Sequence, residues 1–330
     1  MTMLKSFLGA TAALALTAGA ALADPAIIFD LGGKFDKSFN ESAFNGATRW
    51  AEETGNTFAE VELQSDAQRE QALRRFAENG NNPIVMAGFA FSSVLDTVAP
   101  DYPETSFVII DGFVEQPNVQ SIIFSEHEGS YLVGLMAGMA TESNTVGFIG
   151  GMDIPLIRKF ACGYAQGVMA ANPDATVIAN MTGTTPAAWN DPVKGSELTL
   201  AQISQGADVV YAAAGGTGVG VLQTAADNDI LSIGVDSNQN YLHPGQVLTS
   251  MLKRVDNAVY DSFSADMIEG GMMVMGVSNE GVGVAIDENN AELVSAEMQA
   301  AVDVEAARIA SGELMVHDYT SDESCPALDF

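Results

Sequence analysis

From Asp24 onward, short apolar runs alternate with longer stretches in which apolar positions recur every three to four residues. The first pattern is that of buried strands and the second that of amphipathic helices. Their alternation predicts an α/β fold with parallel sheets covered on both faces. Strands are expected at Ala26–Asp30, Thr57–Leu63, Ile84–Ala87, Phe107–Asp111 and Val119–Phe124, a first set of five. A glycine-rich turn over 31–37 leads into Ser38-Phe39-Asn40-Glu41, an S-x-x-E capping box expected to open a helix with Phe44, Trp50 and Ala51 inward. A second box, Ser65 to Gln68, is expected to open the helix that ends near Gly80.

The second half repeats this syntax. Strands are expected at Thr145–Ile149, Thr176–Asn180, Val209–Ala213 and Leu231–Asp236, helices at Pro155–Ala171 and Pro192–Gln205, and a turn at 150–153. IIFDLGGKFDKSFNESAFNG and VGFIGGMDIPLIRKFACGYAQG both run strand, Gly-Gly, Asp, aromatic, helix, Gly, which reads as two similar α/β domains. Ligands of open α/β sheets sit beyond the carboxyl ends of the strands. Those ends carry Asp36, Phe39, Gly88, Phe89, Asp111, Asp153, Trp189, Gly215 to Gly218 and Asp236. Two such rims facing one another make a hinged binding cleft.

The 330 residues suit two domains, and 13 Lys+Arg against 43 Asp+Glu leave a net charge of −30. That balance excludes a nucleic-acid binder, which needs clustered cations, and disfavours highly charged anionic ligands. Lys5, the apolar run Phe7 to Ala18 and Ala21-Leu22-Ala23 read as a signal peptide over 1–23, cut after Ala23. No Cys stands at that cut to accept a lipid, and no later apolar run reaches the ~20 residues of a membrane span. A soluble, exported chain is expected. Cys162 and Cys325 could form one disulfide there, or Cys162 could be a small core residue of its helix.

Catalytic patterns fail. Gly215-Gly216-Thr217-Gly218-Val219-Gly220 follows a strand, and Asp236 would suit a ribose, but Val221 breaks the G-x-G-x-x-G fingerprint and no Walker Lys-Ser/Thr follows. His127, His243 and His317 lack metal-ligand spacing, and no G-x-S-x-G elbow occurs. Glu126 and Glu128 flank His127 in what reads as an extended crossover, where alternate side chains point apart. No enzyme, metal or cofactor is expected.

GGKFDKSFNESAFNGA, SEHEGSYLVGLMAG, VGFIGGMDIPLIRKFACGYAQG, DVVYAAAGGTGVGV, IGVDSNQ and VLTSMLKRVDNAVYDSF, in this order, resemble the basic membrane protein family. These are substrate-binding proteins of ABC importers, of the purine nucleoside receptor type. The resemblance implies a type I periplasmic binding protein: two Rossmann-like domains joined by three crossovers. The N-terminal domain would comprise 24–124 plus 253–276 and the C-terminal domain 125–252 plus 277–330. It further implies a partner, an inner-membrane ABC permease; many members are lipoproteins, but this chain lacks the lipid-accepting Cys and is expected as a monomer free in the periplasm.

A purine nucleoside suits the rim chemically. Phe39, matching the family's DKSFN aromatic, and Trp189 are expected to stack on the base, though either could instead be a packing residue. Asp36, Asn40 and Asp111 are candidates for the base edge. Asp236 resembles the family's ribose acid, and Gly216 with Thr217 could add backbone N–H donors. Lys253 either reaches the sugar or forms a crossover salt bridge; Asp153 either approaches the cleft or caps the next helix; Phe89 is similarly placed. With one base among these acids and amides, a neutral ligand is favoured over an amino acid or nucleotide, which would ask for Arg. Riboflavin, a free purine or a sugar are alternatives. So is a secreted nucleoside hydrolase, for which Asp30 and Asp36 alone make a poor metal cluster, or a sensor subunit.

Overall fold

The computed structural model describes residues 24–330, so the expected leader over 1–23 and its cleavage point lie outside the described residues. In the N-terminal half the elements are β1 (Ala26–Phe29), α1 (Phe39–Thr54), β2 (Ala59–Glu62), α2 (Gln68–Glu78), β3 (Ile84–Ala87), α3 (Ser92–Val98), β4 (Phe107–Ile110) and β5 (Val119–Phe124). Next come α4 (Glu126–Ala140), β6 (Thr145–Met152), α5 (Pro155–Ala171), β7 (Thr176–Gly183), α6 (Pro192–Ser204), β8 (Val209–Ala213), α7 (Thr217–Asp227), β9 (Leu231–Asp236) and β10 (Val247–Lys253). Finally α8 (Val255–Ser264), β11 (Gly271–Met275), β12 (Val282–Val284) and α9 (Ala296–Ala310) complete the chain.

These elements build two six-stranded sheets. The first is ordered β11-β5-β4-β3-β1-β2 and is parallel throughout. The second, β12-β10-β9-β8-β6-β7, is parallel except for β12, which runs against β10. Strands β1, β3, β4 and β8 are buried along their whole length, as expected where helices cover both faces. The sixth strand of the first lobe, β11, escaped the sequence pattern because Met272, Met273 and Val274 on this edge are exposed. The turn expected at 150–153 is instead the end of β6, paired with β7 as far as Met152.

The chain passes between lobes three times: at Phe124–Glu126, after Lys253, and at Met275–Val277. Lys253 is in register with Val282, so it ends β10 in the second sheet rather than starting an N-lobe segment. Glu126 to Glu128 form the first turn of α4 and are not extended. Four glycines let α4 and α5 approach backbone to backbone. A Cβ on Gly134 would strike Tyr164 O, one on Gly138 Val168 O, one on Gly163 His127 O, and one on Gly167 Tyr131 O.

Neither capping box forms as expected. Asp36, two residues ahead of Ser38, accepts from the backbone N–H groups of Ser38 (2.8 Å), Asn40 (3.0 Å) and Glu41 (3.1 Å), and so caps α1 itself. A carboxylate with two oxygens satisfies more orphan donors than one hydroxyl can. This frees Ser38 Oγ to donate to Asp236 in the other lobe. At α2 the Gln68 side chain accepts from Gln64 N (2.7 Å), and the Ser65 hydroxyl caps nothing. Cys162 on α5 is disulfide-bonded to Cys325 in the C-terminal tail. The tail is also held by Gln166, whose amide donates to His317 O (3.0 Å) and accepts from His317 N (2.9 Å).

Candidate functional site: an interlobe cleft

A cavity lies between the C-terminal ends of the two sheets, enclosing about 640 Å³ counted with the solvent at its mouth. From the first lobe it is lined by Asp30, Asp36, Phe39, Asn40, Phe89 and Asp111, each just beyond a strand or at the start of α1. From the second come Leu156, Ile157 and Phe160 of α5, then Trp189, Gly215, Asp236 and Lys253. Phe39 and Trp189 thus come from opposite lobes to one cavity. Gly151 makes room for Trp189: any Cβ there would collide with the indole.

Asp111 and Asp236, at the ends of β4 and β9, have φ of +66° and +64°. Left-handed backbone in a non-glycine residue costs on the order of 1–2 kcal/mol, and such strain gathers at ligand sites. Here it places two carboxyls at equivalent positions on the two rims.

One ammonium serves most of these acids. Lys253 Nζ lies 2.6 Å from Asp111 Oδ2 and 2.9 Å from Glu126 Oε1, and 5.2 Å from the centre of the Phe39 ring. Glu126 is fully buried and its other oxygen lies 2.8 Å from Lys159 Nζ, which also donates to Phe124 O at 2.7 Å. Burial alone would lift the Glu126 carboxyl, but Lys159 and Lys253 together hold it down to about 2. Burial would likewise lower Lys253, but Asp111, Glu126 and Asp236 outweigh it and keep the ammonium charged.

The cleft carboxyls themselves shift the other way. Burial pushes Asp111 up to about 6 against the pull of Lys253, and Asp36 up to about 7 against its three backbone donors. Burial also raises Asp236, opposed by Lys253 and Ser38, and Asp30, opposed by Arg69. The Arg69 guanidinium grips Asp30 Oδ1 at 2.6 and 3.1 Å. Asn40 Oδ1 and Asp111 Oδ1 are buried with no hydrogen-bond partner in the protein. The cleft is therefore crowded with desolvated acceptors that gain from meeting N–H or O–H donors.

Three expected site residues are not on the lining. Asp153 is held by Arg158, whose Nε and Nη2 donate to its two oxygens at 2.7 and 3.0 Å. This fork directs it neither into the cleft nor onto a helix N-terminus. Thr217 is fully buried, its hydroxyl donating to Ala188 O (2.8 Å) and accepting from Asp191 N (2.7 Å). It supports the loop that carries Trp189. Gly216 lies against Trp189 O and Asp36, while its neighbour Gly215 faces the cavity. Phe89 does line it. Among the described residues no cluster of His, Cys, Asp or Glu is arranged to hold a metal ion.

A family profile described as ABC transporter substrate-binding protein PnrA-like, Bmp, matches residues 25–318. The chain belongs to the Bmp family. It is 31% identical over 310 residues to the ABC transporter nucleoside-binding protein BmpA of Lactococcus lactis, covering 84% of this chain and 86% of the relative. An uncharacterised lipoprotein of Pyrococcus furiosus is 35% identical over 281 residues, covering 78% and 69%. Among solved structures, an ABC transporter solute-binding protein from Aeropyrum pernix superposes with a TM-score of 0.81 at 29% identity, covering 89% and 92%. This Bmp-family chain is a substrate-binding protein of an ABC transporter, a class without enzymatic activity, and that role implies a small-molecule ligand and a permease partner. No helix among the described residues is long and apolar enough to cross a membrane.

The sequence alone does not point to six contributors: Asp30, which reads there only as part of a poor metal cluster, Glu126, Lys159, and Leu156, Ile157 and Phe160 of α5. Glu126 and Lys159 act from below the cleft, and Phe160 reads as an ordinary core aromatic of α5. A signal for Glu126 did exist: an acid beginning an otherwise apolar, glycine-rich run.

Proposed function

We propose that the protein binds a purine nucleoside in the interlobe cleft, outside the cytoplasm, and delivers it to its permease. The observation that carries this reading is the pairing of aromatic walls with unpartnered acceptors. Phe39, Phe89, Phe160 and Trp189 offer flat surfaces to a base, while Asn40 Oδ1 and Asp111 Oδ1 await donors. The lysine on this lining, Lys253, is already shared by Asp111 and Glu126, so an anionic group would find no uncommitted cation there. A neutral ligand with π-faces, N–H donors and vicinal hydroxyls satisfies all of these at once. The nucleoside-binding relative in Lactococcus lactis adds support.

In this reading Phe39 and Trp189 stack on the base, Asp36, Asn40 and Asp111 meet its edge, and Asp236 with Lys253 takes the ribose hydroxyls. Titration calorimetry with guanosine, inosine and adenosine, beside ribose, free guanine and riboflavin, tests it. Nucleosides are expected to bind far more tightly than either half-molecule. Heat from riboflavin or ribose with none from the nucleosides would replace this ligand.

A further inference from the structure

Beside the cleft, two turns from opposite lobes meet edge to edge: residues 36–38 ahead of α1 and residues 236–239 after β9. Three hydrogen bonds cross between them. Ser38 Oγ donates to Asp236 Oδ2, Ser237 Oγ donates to Ser38 O at 3.1 Å, and Gln239 Nε2 donates to Lys37 O at 2.8 Å. Lys37, Ser38, Ser237 and Gln239 are absent from the cleft lining, whereas Asp236 belongs to both sets.

Each side is held in shape by its own lobe. Asp36 fixes the Ser38 N–H, and Lys37 sits at φ +62°. Gln239 is 1% exposed; its Oε1 accepts from Val235 N at 2.8 Å and its backbone N–H donates to Ser250 Oγ at 2.9 Å. One amide therefore serves its own lobe with its oxygen and the opposite lobe with its nitrogen. An N–H group so dry must find its partner, and Lys37 O satisfies it only at one separation of the lobes.

The geometry points to these two turns as a closing latch that does not touch the ligand, with Gln239 as its positioning residue. The bonds form when the lobes meet and must break before they part. They therefore act on ligand release, where most affinity differences arise, and little on capture. Asp236 ties the latch to the cleft wall. The inference rests on the lobes closing over a ligand and is independent of that ligand being a nucleoside.

Gln239→Glu separates the two duties of this side chain at pH 8. A carboxylate still accepts from Val235 N but cannot donate to Lys37 O. Small-angle scattering of the ligand-free variant is expected to show a larger radius of gyration than the parent. Stopped-flow release of guanosine is expected to be about tenfold faster, with association changed less than about twofold. Ser237→Ala, which removes a different crossing bond and no contact within its lobe, is expected to speed release about threefold. It carries the same test should Gln239→Glu fail to fold. Parental scattering and parental release rates in both variants would overturn the latch. If guanosine does not bind the parent, the nucleoside reading falls, and scattering of the ligand-free proteins decides the latch alone.

Discussion

Replacing Lys159 by Met asks how much stability the buried ion network carries. The Lys159 side chain is 5% exposed, and its ammonium meets Glu126 Oε2 at 2.8 Å, Phe124 O at 2.7 Å and Asp318 Oδ2 at 3.7 Å. Methionine keeps the stem and loses the charge, leaving Glu126 with Lys253 alone. Stranding one member of a buried pair costs about 3–5 kcal/mol. For lobes that unfold together, ~2.1 cal/mol/K per residue over roughly 300 residues gives an unfolding entropy near ~0.6 kcal/mol/K. The melting temperature should then fall by about 5–8 °C in scanning calorimetry at pH 7. Adding Glu126→Gln removes the stranded charge and should recover part of the loss. A single variant that melts within about 1 °C of the parent, or a double that melts below the single, would refute the reasoning.

Three further outcomes are expected. Phe39→Ala should weaken nucleoside binding by about 1–3 kcal/mol in calorimetry while leaving the melting temperature near the parent's; a collapsed transition would make Phe39 a packing residue. Gly167→Ala should lower the denaturant midpoint, by an overpacking cost of about 1–3 kcal/mol, because its Cβ meets the Tyr131 carbonyl of α4. Burial, helped by Lys159, holds His127 down to about 4 from the ordinary 6.5. Between those values the unfolded chain binds the extra proton, so stability should fall as pH drops from 6.5 toward 4 and be unaffected by this group above 6.5. His127→Gln should flatten the upper part of that window in urea titrations; an unchanged slope would exclude His127 as its source.

The architecture was legible because parallel strands covered on both faces leave unbroken apolar runs, as at β1, β3, β4 and β8. Three strands were not read from the pattern: β10, which lies in a quoted motif but was not assigned as a strand, β11, which exposes its methionines on an edge, and β12, which has only three residues. At the site, residues just past strand ends were found because topology alone puts them there: Asp36, Phe39, Asn40, Phe89, Asp111 and Asp236. What local sequence could not reveal was competition between neighbours. Asp36 displaced Ser38 as the cap, Arg158 took Asp153 from the cleft, and Thr217 was spent on the Trp189 loop. Lys159 was beyond reach for another reason: its partners come from two distant segments, the crossover at 124–126 and the tail at 318.

The Cys162–Cys325 bond closes a ring across a separation of 163 residues, and that ring threads both lobes: it contains β7 to β10 of one, α8 and β11 of the other, and α9. A ring of ~100 residues already withdraws about 4.7 kcal/mol of chain freedom from the unfolded state. Such a bond endures only where thiols are kept oxidised. Under reducing conditions the unfolded chain regains that freedom, so its two lobes, tail and α9 are held together by packing and hydrogen bonds alone.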